Sequence, residues 1–295
     1  MKKIESDFFS KGIRCAGTLY LPDKPDKPPV VIMAHGLGAE QTFRIPAFAE
    51  RFAAHGLAAF AFDYRYYGKS DGEPRHLINP WRQIHDWLGA IDHVRSLEVI
   101  DKTRIALWGS SFAGGHVLVV AAKSKGISAL VSQVPFVNGW SIFRIFNPIY
   151  LFKATLHGIR DVFRMITFRK PHMIPIIGKP DTFAFMNTHD SWDGYSAIIP
   201  KGSAWKNECP ARILLMITNY RPMSYARKIK CPALFIVAEK DSLVDWKDVQ
   251  KTADRMNRAT SQVLPVGHFD VYVGDLFENV VDQELNFLCK ELGVK

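Results

Sequence analysis

Apolar runs of five or six residues recur along this chain in an order that leaves few folds open. "VVIMA" (30–34), "LAAFAF" (57–62), "RIALW" (104–108) and "ISALVS" (127–132) come in the first half, and "ALFIV" (233–237) and "SQVLPV" (261–266) near the end. Each is continuous rather than alternating and is bounded by polar residues or glycine, as expected of strands buried on both faces. Helix-like stretches lie between them, at about 42–55, 80–96, 114–124, 245–258 and 275–292. Such alternation predicts an α/β protein, a mostly parallel sheet with helices on both faces. The opening "GIRCAGTLYLP" alternates more loosely and is expected to form a hairpin at the sheet edge. With 295 residues, 47% of them hydrophobic and 23% charged, the chain can fill such a core.

The alternation stops between 136 and about 228 and resumes at Pro232 as though nothing had intervened. Residues 1–135 and 229–295 are therefore read as one core, and 136–228 as a helical cap inserted over it. The insertion opens with "GWSIFRIFNPIYLFKATLHGIRDVFRMITFRKPH", rich in aromatics and cations, and Asn147-Pro148 breaks its first helix. Phe143, Phe146 and Tyr150 recur at helical spacing, and Phe163, Ile166 and Phe168 continue the apolar theme. They predict a helix that packs its apolar face on the sheet or lines a lid over an apolar group. Arg144, Lys153, Arg160 and Arg164 would then face water or an anionic partner.

Charge is concentrated in the same place. The net charge is +9, and 136–228 carries 13 Lys/Arg against 5 Asp/Glu while the remainder carries 25 against 24. No nucleic-acid-binding module accompanies the excess, so no nucleic-acid role is read from it. A basic amphipathic surface suits an anionic membrane surface or an acidic acyl carrier protein. The start, "MKKIESDFFSKGIRC", lacks the apolar stretch of a secretory signal, and no apolar run is long enough to span a bilayer. Cys15, Cys209, Cys231 and Cys289 lie far apart and form no C-x-x-C pair. The expectation is a cytoplasmic chain with free thiols, no disulfide framework and no zinc site. The sequence carries no signal for an oligomeric state.

Two serines stand where a buried strand turns into a helix, in "LWGSSFAGGHV" (107–117). A nucleophile in such an elbow has a strained backbone, and the residues two away on each side must be small. Around Ser111 these are Gly109 and Ala113; around Ser110 they would be Trp108 and Phe112, which would clash. Ser111 is the candidate nucleophile. The plainer alternative is a Gly-Ser turn that merely caps a helix.

The surrounding motifs argue for chemistry. A tetrahedral intermediate needs two N–H donors for its oxyanion, and the backbone N–H groups of Leu37, in "AHGLG" (34–38), and Phe112 are the natural pair. His35 precedes the serine and is read as structural. The order serine, acid, histidine selects Asp241, just past the strand "ALFIV", and His268 in "LPVGHFD". Asp245 is the rival acid, but it lies at the start of the next helix, where an acidic residue is ordinary. Asp270 is too close in sequence to His268 to orient its ring. In this reading His268 takes the Ser111 proton as the hydroxyl attacks a carbonyl, and Asp241 holds the imidazole.

The chain resembles the α/β-hydrolase-fold serine hydrolases over nearly all its length. "FDYRYYGKSDGEPR" (62–75), "WGSSFAGGHVL", "SQVPF" (132–136), "AWKNECPARILL" and "NYRP" are similar to the dienelactone-hydrolase-like and polyketide-transferase-like subgroup. Ser111 stands where dienelactone hydrolase proper has cysteine, so that activity is not implied. Tyr66 and Tyr67 replace the usual Gly-Phe and are expected near the pocket mouth. The resemblance implies an esterase or thioesterase acting on a small-molecule acyl substrate, with no metal or organic cofactor. Two further possibilities are an acyltransferase that uses the same residues with a bound alcohol, and a non-catalytic binding protein that kept the fold. Ser111 at the elbow excludes dehalogenase and epoxide-hydrolase chemistry, which need an aspartate there.

Overall fold

The computed structural model describes residues 1–294. Eight strands form the central sheet: β1 (Lys2–Glu5), β2 (Gly17–Leu21), β3 (Val30–Ala34), β4 (Ala58–Phe62), β5 (Ile105–Ser110), β6 (Ile127–Gln133), β7 (Ala233–Ala238) and β8 (Ala259–Leu264). Their spatial order is β1-β2-β4-β3-β5-β6-β7-β8. β1 and β2 are antiparallel, and so are β2 and β4; every pairing from β4 onward is parallel. β3, β4, β5 and β7 are buried along their whole length, which is why their sequences run apolar without alternation.

The edge differs from expectation. "GIRCAGTLYLP" is not one hairpin: Ile13–Cys15 pairs with Phe8–Ser10 in a separate two-stranded ribbon, and β2 pairs with β1. β1 reads "KKIE" and is exposed throughout, so it carries no hydrophobic periodicity to betray it.

Helices α1 (Ile45–Ala54), α2 (Pro80–Ser96) and α3 (Phe112–Lys123) follow the early strands. Between β6 and β7 come α4 (Pro148–Ile166) and α5 (Ser191–Ile198), and the chain closes with α6 (Trp246–Ala253) and α7 (Gly274–Leu292). α1 packs on α7 across one face of the sheet, and α2 on α3 across the other. α2 and α4 both start on an asparagine N-cap followed by proline, with the Asn79 and Asn147 side chains accepting the N–H of Arg82 and Tyr150. Asn147-Pro148 thus separates a short turn at Ile142–Ile145 from the long helix that it starts.

One buried acid beneath the sheet has a measurable consequence. Glu284 of α7 is fully buried and accepts the indole N–H of Trp108 from β5 at 2.8 Å. Burial raises its carboxyl from 4.5 to about 8, against the opposing effect of that N–H. The folded chain therefore keeps a proton that the unfolded chain has released, and this stability is lost as pH rises from the unfolded value through about 8. Glu284→Gln retains an acceptor for Trp108 and should raise the melting temperature at about pH 9 by about 5 °C or more, with little change at about pH 5. Equal shifts at both pH values would show that the side chain carries no such proton.

Candidate active site

β5 ends at Ser110, and α3 begins at Phe112, so Ser111 alone makes the turn from strand to helix. Its backbone sits at φ 57°, ψ −116°, a region that residues with a Cβ rarely occupy. The glycines around it permit this. A Cβ on Gly109 would lie 2.3 Å from the carbonyl oxygen of Ala113, and one on Gly115 would lie 2.1 Å from that of Phe136. Ser111 N–H donates to the Gln133 carbonyl at 2.8 Å, and its own carbonyl accepts Phe136 N–H at 2.9 Å, which pins the turn to the segment after β6.

Ser111 occupies the N-cap position of α3, yet its side chain makes no capping hydrogen bond. Its Oγ lies 3.0 Å from His268 Nε2. The two serines are fully separated: Ser110 is buried, its Oγ 2.6 Å from the Tyr272 hydroxyl and accepting Gln133 Nε2 at 2.7 Å.

His268 comes from the loop between β8 and α7, and its Nδ1 lies 2.6 Å from Asp241 Oδ2. Asp241 follows β7, and its other oxygen accepts the N–H groups of Leu243 and Val244, both at 2.8 Å. A carboxylate can only accept, so Nδ1 carries the ring proton and Nε2 presents a lone pair to Ser111. Burial disfavours the imidazolium of His268, but the adjoining Asp241 charge and hydrogen bond outweigh it and raise the group above its usual value.

The rival residues have other partners. Asp245 caps α6 by accepting Lys247 N–H at 3.0 Å and pairs with Arg144 at 2.8 Å, so Arg144 is not free for an outside anion. Asp270 accepts Gly267 N–H at 2.7 Å and shapes the turn before His268. His35 is buried, bonds the Gly36 carbonyl through Nδ1 at 3.0 Å, and is pushed by burial down to about 4.

The "AHGLG" turn passes directly against Ser111. A Cβ on Gly36 would stand 3.1 Å from that of Ser111. Two residues of the segment between β6 and β7 hold this turn: the Tyr195 hydroxyl donates to the Leu37 carbonyl at 3.0 Å, and Trp205 Nε1 to the Gly38 carbonyl at 2.7 Å. Among the described residues the N–H groups of Leu37 and Phe112 have no acceptor. Sequence reasoning missed Tyr195 and Trp205 as supports, although Trp205 lies within the quoted "AWKNECPARILL".

Tyr66 and Tyr67 are not at a pocket mouth, contrary to expectation. Both are buried. Tyr67 donates its hydroxyl to the His76 carbonyl at 2.7 Å, and Tyr66, in a left-handed turn at φ 76°, bonds Arg82. The turn geometry directs them into the core rather than toward Ser111.

Ser111 instead opens onto two cavities. The larger, about 290 Å³, is walled mainly by apolar side chains of the segment between β6 and β7, among them Phe143, Phe146, Tyr150, Leu151 and Ile217. The smaller, about 30 Å³, lies between Ser111, His268, Tyr195 and Tyr272.

A chain whose sheet ends bring these loops together matches the family model described as alpha/beta hydrolase fold over residues 29–275, and the protein belongs to that family. It is 39% identical to the quorum-quenching protein AidA of Acinetobacter baumannii, over 99% of this chain and 96% of that one. It is 24% identical to the polyketide transferase af380 of Aspergillus fumigatus, over 90% of each chain. Among solved structures, the alpha/beta hydrolase GrgF from Penicillium superposes with a TM-score of 0.84 at 21% identity, covering 99% of this chain and 100% of that one.

Proposed function

We propose that the protein is a serine hydrolase that cleaves a carboxylic ester or thioester through an acyl-enzyme on Ser111. The observation that carries this reading is the unbroken line Ser111 Oγ–His268 Nε2 at 3.0 Å and His268 Nδ1–Asp241 Oδ2 at 2.6 Å, opening into an apolar cavity. His268 accepts the Ser111 proton as Oγ attacks the carbonyl carbon. Asp241 stabilises the imidazolium that forms, and the Leu37 and Phe112 N–H groups receive the oxyanion. The imidazolium then protonates the leaving alcohol or thiol. Water, deprotonated by the same ring, attacks the acyl-enzyme, and its collapse restores Ser111 and releases the acid.

Residues 136–228 serve as a cap in this reading, with the acyl group held against Phe143, Phe146 and Tyr150. The four cysteines lie far apart along the sequence with no C-x-x-C pair, which suits a reduced, cytoplasmic setting. The smaller cavity beside His268, about 30 Å³, leaves room for water next to Ser111. Its size suits water as the second nucleophile. The similarity to a polyketide transferase favours the other outcome, acyl transfer by the same three residues.

One experiment tests both. Over a series of p-nitrophenyl esters, kcat/KM should rise about fourfold per added methylene until the cavity is full, then fall. With a small alcohol present, free acid should remain the main product. A flat series would remove the cavity from the reading, and a dominant ester product would make the protein a transferase.

A further inference from the structure

α4 is held to the protein by one side and turns its large apolar side chains outward. Its inner side is locked to the protein: Gly158 admits Leu215, against which a Cβ would stand at 2.6 Å. Asp161, fully buried on the same side, takes Arg212 Nε at 2.6 Å and His172 N–H at 2.7 Å. Its outer side carries Ile149, Phe152, Leu156, Ile159, Phe163 and Ile166, spaced alternately by three and four residues and all exposed, Ile149 to 70%. At 3.6 residues per turn they share one stripe roughly 100° wide on a helix about 28 Å long. Phe168, just past the helix end, is 99% exposed. This corrects the expectation that Phe163, Ile166 and Phe168 pack inward. A contiguous outward apolar face of this size marks a contact surface.

Charge selects its occupant. Lys153, Arg160 and Arg164 line one edge of the stripe and make no salt bridge among the described residues, and Arg169 and Lys170 follow. Asp161 is the one acid between 140 and 170, and it is buried and paired. A second copy packed antiparallel on the stripe would set the Lys153–Arg160 edge against itself, cation to cation. An acidic carrier protein would answer the cations but leave the apolar stripe unmatched. An anionic lipid surface answers both, taking the apolar side chains between its acyl chains and the cations at its phosphates. No helix among the described residues is long and apolar enough to cross a membrane, so contact would be at the surface.

We infer that the outer face of α4 docks the protein on anionic lipid surfaces. Leu151, Ala154 and Thr155 of the same helix line the cavity at Ser111, so the docked helix lies between lipid and Ser111. Docking stands without the acyl-enzyme reading; delivery of an apolar substrate from the lipid rests on it.

Cosedimentation of the full chain with vesicles provides the test, using phosphatidylcholine alone or mixed with phosphatidylglycerol. The protein should sediment with the mixed vesicles, weakly or not at all with the neutral ones, and less as salt rises. Lys153→Ala and Arg160→Ala should each weaken binding about fivefold. Phe152→Ser combined with Phe163→Ser should abolish it, with an unchanged melting temperature showing that the fold persists. The inference is overturned by failure to bind mixed vesicles or by full binding of the double serine variant. It is also overturned if ultracentrifugation finds a dimer that the double variant dissolves, or if an acidic carrier protein binds where vesicles do not.

Discussion

Replacing Ser111 with alanine should lower p-nitrophenyl ester turnover by about 10⁵–10⁶-fold while the melting temperature barely moves. The loss is large because, in the proposed mechanism, Ser111 has no substitute: Ser110, its neighbour in sequence, is turned away and held by Tyr272 and Gln133. The stability cost is small because Ser111 Oγ caps nothing and bonds only His268, leaving a histidine still held by Asp241. Ser110→Ala makes the opposite expectation. It removes a buried hydroxyl with two partners, so it should cost stability by about 1–3 kcal/mol and keep most of the activity. Kinetics and thermal melts on the two variants separate the roles, and an inactive Ser110→Ala beside an active Ser111→Ala would reverse the register of the elbow.

Asp241→Asn should reduce kcat by about 10⁴-fold. The amide can keep the Leu243 and Val244 N–H bonds through its oxygen, so the loop stays in place. It would, however, turn a donor toward His268 Nδ1 and favour the tautomer with the proton on Nε2, where it cannot accept from Ser111. The pH profile gives a second readout. Because Asp241 raises His268, the wild-type rate should climb with pH through a limb above the ordinary imidazole value, as the ring loses its proton. Removing the charge should move that limb to lower pH even as the plateau falls. Asp245→Asn should leave both limb and plateau in place and lower only stability, since Asp245 caps α6 and pairs with Arg144. A profile in Asp241→Asn that keeps its wild-type position would separate Asp241 from the ionisation of His268.

The parallel part of the sheet was legible because burial on both faces writes an uninterrupted apolar run, which β3, β4, β5 and β7 display. β1 was not, because an exposed edge strand obeys no such constraint. The elbow could be registered because Gly109 has no room for a Cβ, and that requirement is local in sequence. Ser111 and Asp241 each lie within hydrogen-bond distance of His268, since chain order along the sheet decides which loops meet. Tyr66 and Tyr67 went astray because a left-handed turn, invisible in composition, sends both rings into the core. The outward direction of the α4 stripe is hidden from the sequence for a different reason. Periodicity reports that a helix has an apolar face, not which way that face looks, and that of α4 looks outward.

The bonds from Tyr195 and Trp205 to the Leu37 and Gly38 carbonyls have a consequence for engineering. In the proposed mechanism, the segment that walls the apolar cavity also braces the loop that receives the oxyanion. Transplanting the equivalent region from another hydrolase would exchange a specificity element and, with the same cut, loosen a rate element. A chimaera that carries over both aromatic anchors keeps the two separable, whereas one that omits them should bind its new substrate and turn it over slowly.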